Sequence, residues 1–183
     1  NGCGVHISAA TAAALPTLDV GQVCLAGSTL LEIEGILNGS TNYILTRMQQ
    51  DGCDYLTALK EAQDLGIAET NPSLDVEGRD TANKIVLIAN RLFNLSLGPN
   101  DITVEGITNI SPEDVAAAKK SGQVIKLIGT ARRTESDVQL SVAPKRLEKE
   151  HPLASVCGSE KAISYLTDTM HRITVSGGKS SPT

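Results

Sequence analysis

Between Thr29 and Ile36 the side chains alternate, with Leu30, Glu32 and Glu34 against Leu31, Ile33 and Gly35. A period of two with one mainly apolar face predicts a strand. Asn38-Gly39-Ser40-Thr41-Asn42 breaks it and offers several helix N-caps. Tyr43, Ile44, Leu45 and Met48 then fall at helical spacing, giving strand, tight turn and helix. Tyr55 to Leu65 predicts a second amphipathic helix, with Leu56, Leu59, Ala62 and Leu65 as its apolar stripe and Gly66 as its stop. Glu69 to Gly78 reads as a loop. A third helix is expected from about Asp80 to Phe93, buried nearly all round at Ile85 to Ala89.

Further along, Ile102 to Ile107 predicts a short strand, and Ser111-Pro112-Glu113 starts a helix running to about Lys120. Val124 to Arg132 and Val138 to Pro144 form a hairpin through Thr134 to Asp137. Residues 145–154 read as a loop, and 155–176 as two or three short strands ending at Val175. An Ala-rich helix over Ile7 to Leu15, ended or bent by Pro16, precedes them all. The order predicts one α+β domain over residues 1–183, a mixed sheet with helices packed on one face.

Composition narrows the function classes. With no Trp, one Phe, three Tyr and a net charge of -5, the chain lacks the aromatic platforms and basic stripe that a nucleic-acid partner needs. Its longest apolar stretch, Ile85 to Ala89, falls far short of the ~20 residues of a membrane span. No charged region followed by an apolar one opens the chain, so a cytoplasmic location is expected. Cys3, Cys24, Cys53 and Cys157 are scattered and read as reduced thiols. His6, His151 and His171 lack ligand spacing, so no metal is assigned. Lys145 to Glu150 is a mixed-charge run that reads as solvated loop.

The densest polar information lies between Gly66 and Lys84, with Glu69, Asp75, Glu77 and Asp80 in a loop and the first turn of a helix. Asp80 and Lys84 stand four apart and share a helix face. At a pocket rim such a pair could handle a proton or anchor a small zwitterion. On an open surface it is a solvated ion pair of about 0.3–0.5 kcal/mol. Spacing does not choose between them.

Ile33-Glu34-Gly35-Ile36-Leu37-Asn38-Gly39-Ser40-Thr41-Asn42-Tyr43-Ile44-Leu45 resembles the homoserine dehydrogenase signature. Leu65-Gly66 through Glu69, Pro72, Asp75, Gly78, Asp80 and Lys84 resembles that family's catalytic stretch. More weakly, the resemblance covers nearly the whole chain, with Gly2-Cys3-Gly4 similar to a hinge loop and Gly177 to Thr183 to a Gly-rich turn before a last helix. It implies reduction of aspartate 4-semialdehyde to homoserine with NADH or NADPH, in a homodimer formed through the sheet face. Carried over by position, Lys84 and Asp80 are the proton-handling pair, and Asp80 also binds the substrate amino end. Glu69 holds the ammonium or a water, Asp75 supports the site, and Gly39 and Ser40 present N–H groups and a hydroxyl.

Departures from the family pattern accompany the match. No strand-to-helix G-x-G-x-x-G occurs, so the nucleotide-binding domain and the second lysine it supplies are expected to lie outside this chain. The first residue, Asn1, and the tail Ser180 to Thr183 fit a piece of a longer product, inactive by itself. Ile67 stands where many relatives carry Tyr, and Asn71 where they often carry Asp. A non-catalytic module that binds an amino acid or drives oligomerisation is the alternative, and binding of homoserine separates the two.

Overall fold

The structure is a computed structural model that describes residues 15–178, apart from the Cys24 side chain. The Ala-rich helix expected before Pro16, the Gly2-Cys3-Gly4 loop and the last five residues lie outside the described residues. A short helix α1 (Thr17–Asp19) runs into a π turn (Val20–Cys24). There follow β1 (Leu30–Ile36), α2 (Gly39–Asp51), α3 (Tyr55–Asp64), α4 (Ser73–Val76), α5 (Arg79–Phe93), β2 (Ile102–Val104), α6 (Pro112–Lys120), β3 (Gln123–Arg133), β4 (Val138–Glu148), β5 (Lys161–Thr167) and β6 (His171–Gly177).

The strands form one sheet in the order β2-β4-β3-β1-β5-β6. Only β2 and β4 pair in parallel, so the sheet is mixed, as expected. Because side chains alternate along a strand, Ile33 on β1, Leu127 and Ala131 on β3, Leu140 and Val142 on β4, and Ile163 and Tyr165 on β5 form one apolar face. These residues and the buried faces of α2, α5 and α6 belong to one core. Gly129 lets α5 come close: a Cβ there would stand 3.1 Å from Thr81 Cγ2 and 3.3 Å from Ile85 Cβ.

Several elements depart from the sequence reading. On α3 half of the expected stripe faces the core: Ala62 is buried and Leu59 packs against the core, whereas Leu56 is 71 % exposed and Leu65 48 %, and Ala58 is buried instead. Tyr43 Oη donates to Glu61 Oε1 at 2.8 Å and Arg47 Nε to Glu61 Oε2 at 2.9 Å. These bonds fix the rotation of α3 on α2, and the small alanines suit the close approach. The loop expected over Glu69 to Gly78 contains α4, where the Asn71 side chain accepts from Ser73 N at 3.3 Å and Ser73 Oγ at 2.5 Å. On α5, Leu87 is exposed, so burial is not quite all round.

β2 stops at Val104, short of the expected Ile107. Past it, Ile107 N donates to Val76 O at 2.8 Å, and a Cβ on Gly106 would lie 2.3 Å from that same oxygen. The chain there is packed backbone to backbone under α4. β4 runs on to Glu148 through the stretch read as loop, and Leu147 is buried. α6 starts at Ser111 as expected, and there it has a capping box, with Ser111 Oγ accepting from Asp114 N at 3.1 Å. None of the described helices is long and apolar enough to cross a membrane.

The other sheet face holds the charges. Glu32 and Glu34 point away from the helices, yet they are only 5 % and 6 % exposed. Arg132 and Arg172 pair with Glu32, at 2.6 and 3.4 Å. Lys145, His151 and Arg172 surround Glu34, at 3.0, 3.2 and 3.1 Å. Lys145 is thus half-buried in a strand and paired, contrary to the solvated loop expected. Beside this network, Leu153, Ala154 and Val156 cover Ile36, Ile128 and Ala162. The buried Lys126 ammonium ties that segment down, donating to Val156 O at 2.6 Å and Asn42 Oδ1 at 3.1 Å.

Burial by itself would raise the Glu34 carboxyl, but the Lys145 hydrogen bond and the charges of Lys145, His151 and Arg172 outweigh it and hold the group below its ordinary value of 4.5. A lowered native pKa adds stability above the unfolded value and loses it as pH falls through the folded one. Glu34→Gln is therefore expected to be less stable than wild type at neutral pH, with the gap closing as pH drops below 4.5. Urea unfolding across that range checks this, and a gap independent of pH would refute it.

Candidate active site

β1 delivers its end to the starts of two helices. Past Ile36 the chain stays extended at Asn38, with φ -124° and ψ 123°, and Asn38 becomes the N-cap of α2. Its Oδ1 accepts from Thr41 N at 2.9 Å, satisfying one of the orphan donors of the first turn. That bond fixes which end of the amide faces inward. Nδ2 donates to Asp75 Oδ1 at 2.7 Å and to Asp80 Oδ2 at 2.8 Å. Two carboxylates from α4 and α5 therefore meet on one nitrogen.

Gly78, at φ +83°, turns the chain between α4 and α5 in a conformation that suits glycine. Asp80 lies in the first turn of α5, where the helix dipole favours an anion. One turn on, Lys84 Nζ donates to Asp80 Oδ2 at 2.6 Å and to Leu37 O at 3.1 Å. The side chains of Lys84 and Asp80 are 18 % and 22 % exposed. A solvated surface pair would not be so covered, nor would its ammonium be held by a strand-end carbonyl. Asp80 Oδ2 accepts from an amide and an ammonium together, which orients the carboxylate.

The other expected residues fall around this centre. Gly39 and Ser40 open α2 directly behind Asn38, and Ser40 Oγ donates to Ile67 O at 2.9 Å, tying the helix start to the loop that leads to Glu69. Gln63 Nε2 holds the Glu69 and Thr70 carbonyls at 3.1 and 3.2 Å. The Glu69 carboxylate itself is exposed and makes no hydrogen bond or ion pair with the described residues. The structure thus joins Asp75, Asp80 and Lys84 through Asn38 and leaves Glu69 outside that network.

Two members went unnoticed in the sequence. Asn38 was read only as a helix start, although an N-cap amide has a second end that must also find partners. Lys161 is the other. It opens β5 opposite Gly177, and its neighbour Ala162 stands across from Ile36, so Lys161 lies alongside Leu37, the residue whose carbonyl holds Lys84. The side chain is 4 % exposed, and Nζ donates to Gly178 O at 3.2 Å. Burial pushes this ammonium below the ordinary lysine range, nearby Lys84 pushes the same way, and Asp80 opposes them. A lysine at the head of Ala162-Ile163-Ser164-Tyr165, where Ile163 and Tyr165 are the apolar alternates, was the available signal. Its period-two spacing from Ile163 and Tyr165 puts it on the helix-covered face.

Among the described residues no three or more His, Cys, Asp and Glu side chains are grouped to hold a metal ion. The centre offers carboxylate acceptors beside ammonium donors, a set that fits a small zwitterion.

A family model described as homoserine dehydrogenase matches residues 16–183. A homoserine dehydrogenase of Methanocaldococcus jannaschii is 42 % identical over 95 % of this chain and 50 % of its own length. An NAD(+)-dependent homoserine dehydrogenase of Pseudomonas canavaninivorans is 39 % identical over 88 % of the chain and 46 % of its own. Among solved structures, a homoserine dehydrogenase from Thiobacillus denitrificans superposes with a TM-score of 0.88 at 32 % identity, covering 91 % of this chain and 39 % of that one. The chain spans about half the length of these relatives, or less.

Asn38 caps a helix and neutralises the approach of two carboxylates. Asn38→Ala should therefore cost about 1–3 kcal/mol of stability, combining a lost cap with two lost charge-assisted bonds. Asn38→Asp keeps a capping oxygen but sets a third acid beside Asp75 and Asp80. It should be at least as destabilised at pH 7 and recover as the pH is lowered. Denaturant titrations at two pH values measure both, and an Asn38→Asp as stable as wild type at pH 7 would contradict the geometry.

Proposed function

Because the chain belongs to the homoserine dehydrogenase family, we propose that it supplies the substrate half of an oxidoreductase site acting between L-aspartate 4-semialdehyde and L-homoserine, in a cytoplasmic route of amino-acid biosynthesis. The observation that carries this reading is the Asp80 carboxylate held between the Asn38 amide and the Lys84 ammonium, at 2.8 and 2.6 Å.

The chemistry asks for little more. A nicotinamide cofactor, held by the part of the relatives' length that this chain does not span, would supply a hydride to the aldehyde carbon. As the carbonyl oxygen gains charge it needs a proton, and Lys84, oriented by Asp80 and Leu37 O, stands ready to give one. In the reverse direction the same amine takes the proton of the hydroxyl. Asp75 and Asp80 offer acceptors for the substrate ammonium, and the first-turn N–H groups of Gly39 and Ser40 offer donors. Glu69 reaches the ligand only if the loop held by Gln63 and Ser40 lets its carboxylate turn inward.

The described residues do not fit the dinucleotide itself: no strand runs through a glycine-rich turn into a helix in the way a pyrophosphate cradle requires. We assign NAD or NADP binding to the part of the relatives' length that this chain does not span. The sheet face carrying Glu32 and Glu34, uncovered by helices, is the surface we assign to a second copy.

Calorimetric titration with L-homoserine tests the half-site. Weak binding by the wild type, abolished in Lys84→Ala and Asp80→Ala, is expected, and no heat in the wild type would sink the reading. In a polypeptide joining this segment to a nucleotide-binding domain, Lys84→Met should lower kcat about 10²–10⁴-fold, the usual range for losing a general acid–base group. The segment without that domain should show no turnover with homoserine and NAD or NADP.

A further inference from the structure

The Asp80–Lys84 centre has more positive charge than its proton chemistry needs. Lys84 is committed to Asp80 and the Leu37 carbonyl. Lys161 adds a second ammonium beneath the same strand end, brought there by the β1–β5 register and held by Gly178 O. It interacts electrostatically with both Lys84 and Asp80. Burying a lysine is costly, and a buried charge persists where other charges or dipoles compensate it. Among the described residues, Asp80 acts on both Lys84 and Lys161, and Asp75 meets Asp80 at the Asn38 amide, so charges of both signs share the cluster.

A ligand with an ammonium and a carboxylate places one charge of each sign into such a cluster. The two acids favour its ammonium. Its carboxylate needs a positive field, and Lys84 cannot serve the carboxylate and the reacting oxygen at once. We propose that Lys161 is the specificity-determining cation of this centre, whose field favours ligands bearing an α-carboxylate over amino alcohols that lack one. The proposal rests on the function assigned above and adds to it the residue that recognises the acid end of the substrate. Charge acts through space in a covered site, so the effect does not require Lys161 to touch the ligand.

The test compares L-homoserine with 3-aminopropan-1-ol, the same molecule without its carboxylate. Both are titrated into the chain carrying 13C-labelled lysine, and the Lys84 Cε signal is followed by NMR in wild type, Lys161→Met and Lys161→Arg. Lys161→Met should weaken homoserine binding at least tenfold and leave 3-aminopropan-1-ol unchanged, while Lys161→Arg keeps homoserine affinity within about threefold. Thermal melting shows whether the variants fold.

Should Lys161→Met not fold, pH decides. Burial lowers the Lys161 pKa, so wild-type affinity for homoserine should fall at a lower pH than that of Lys161→Arg, whose guanidinium stays charged. Among the described residues, the charges that act on Lys161 are those of Lys84 and Asp80, common to both proteins. 3-Aminopropan-1-ol should show no such difference between them.

Homoserine affinity unchanged in Lys161→Met, an equal loss for both ligands, or identical pH profiles would overturn the assignment of Lys161 alone. A wild-type Lys84 signal that moves with neither ligand would overturn the function assigned to the centre, and this proposal with it.

Discussion

One oxygen atom organises this site. Asp80 Oδ2 accepts from the Asn38 amide and the Lys84 ammonium together, and through them it binds the end of β1, the start of α2 and the first turns of α5 into one unit. Each donor is itself fixed from behind. The amide is locked by capping α2 through its other end, and the ammonium by the Leu37 carbonyl. The carboxylate cannot rotate away without loosening a helix. The contacts that hold the fold are the same few that hold the proposed proton-handling pair, so the geometry comes preorganised rather than assembled around a ligand.

How much of this was legible depended on whether the deciding physics was local. β1, a helix start within Asn38 to Asn42, the start of α6 at Ser111 and the β3–β4 hairpin were read from the residues because alternation, caps and turn chemistry act over a few positions. The Asp80–Lys84 pair was visible as a helix-face neighbour, but its burial was not, since that comes from β1 and Leu37, far off in sequence. The face of α3 was half misread for a similar reason. Leu59 and Ala62 face the core as expected, whereas the bonds from Tyr43 and Arg47 to Glu61 set a rotation that exposes Leu56 and buries Ala58. Lys145 was taken for solvated loop because nothing nearby in sequence announces Glu34.

The charged face of the sheet shows the same logic at larger scale. Glu32 and Glu34 look like the solvent side of an amphipathic strand, yet they are covered by the arginines, lysine and histidine that β3, β4, β6 and the segment after β4 bring over them. Such a network fixes the register of four strands more than it adds stability, because each ion gives up water to enter it. Family membership is established over residues 16–183, while the position of each charge comes from the fold.

Asn38 is followed by Gly39, and in an open chain an Asn-Gly step is among the most prone to cyclise through the next backbone nitrogen and lose ammonia. Asparagine is thermolabile for this reason. In the native state the Thr41 N–H pins the side-chain oxygen and the glycine is wound into a helix, which hinders that ring closure. Molecules left unfolded would age at this residue into a carboxylate, or a backbone rerouted through it, facing Asp75 and Asp80. The damage would fall on refolding and on the site together, so the native hydrogen bonds also act as chemical preservation.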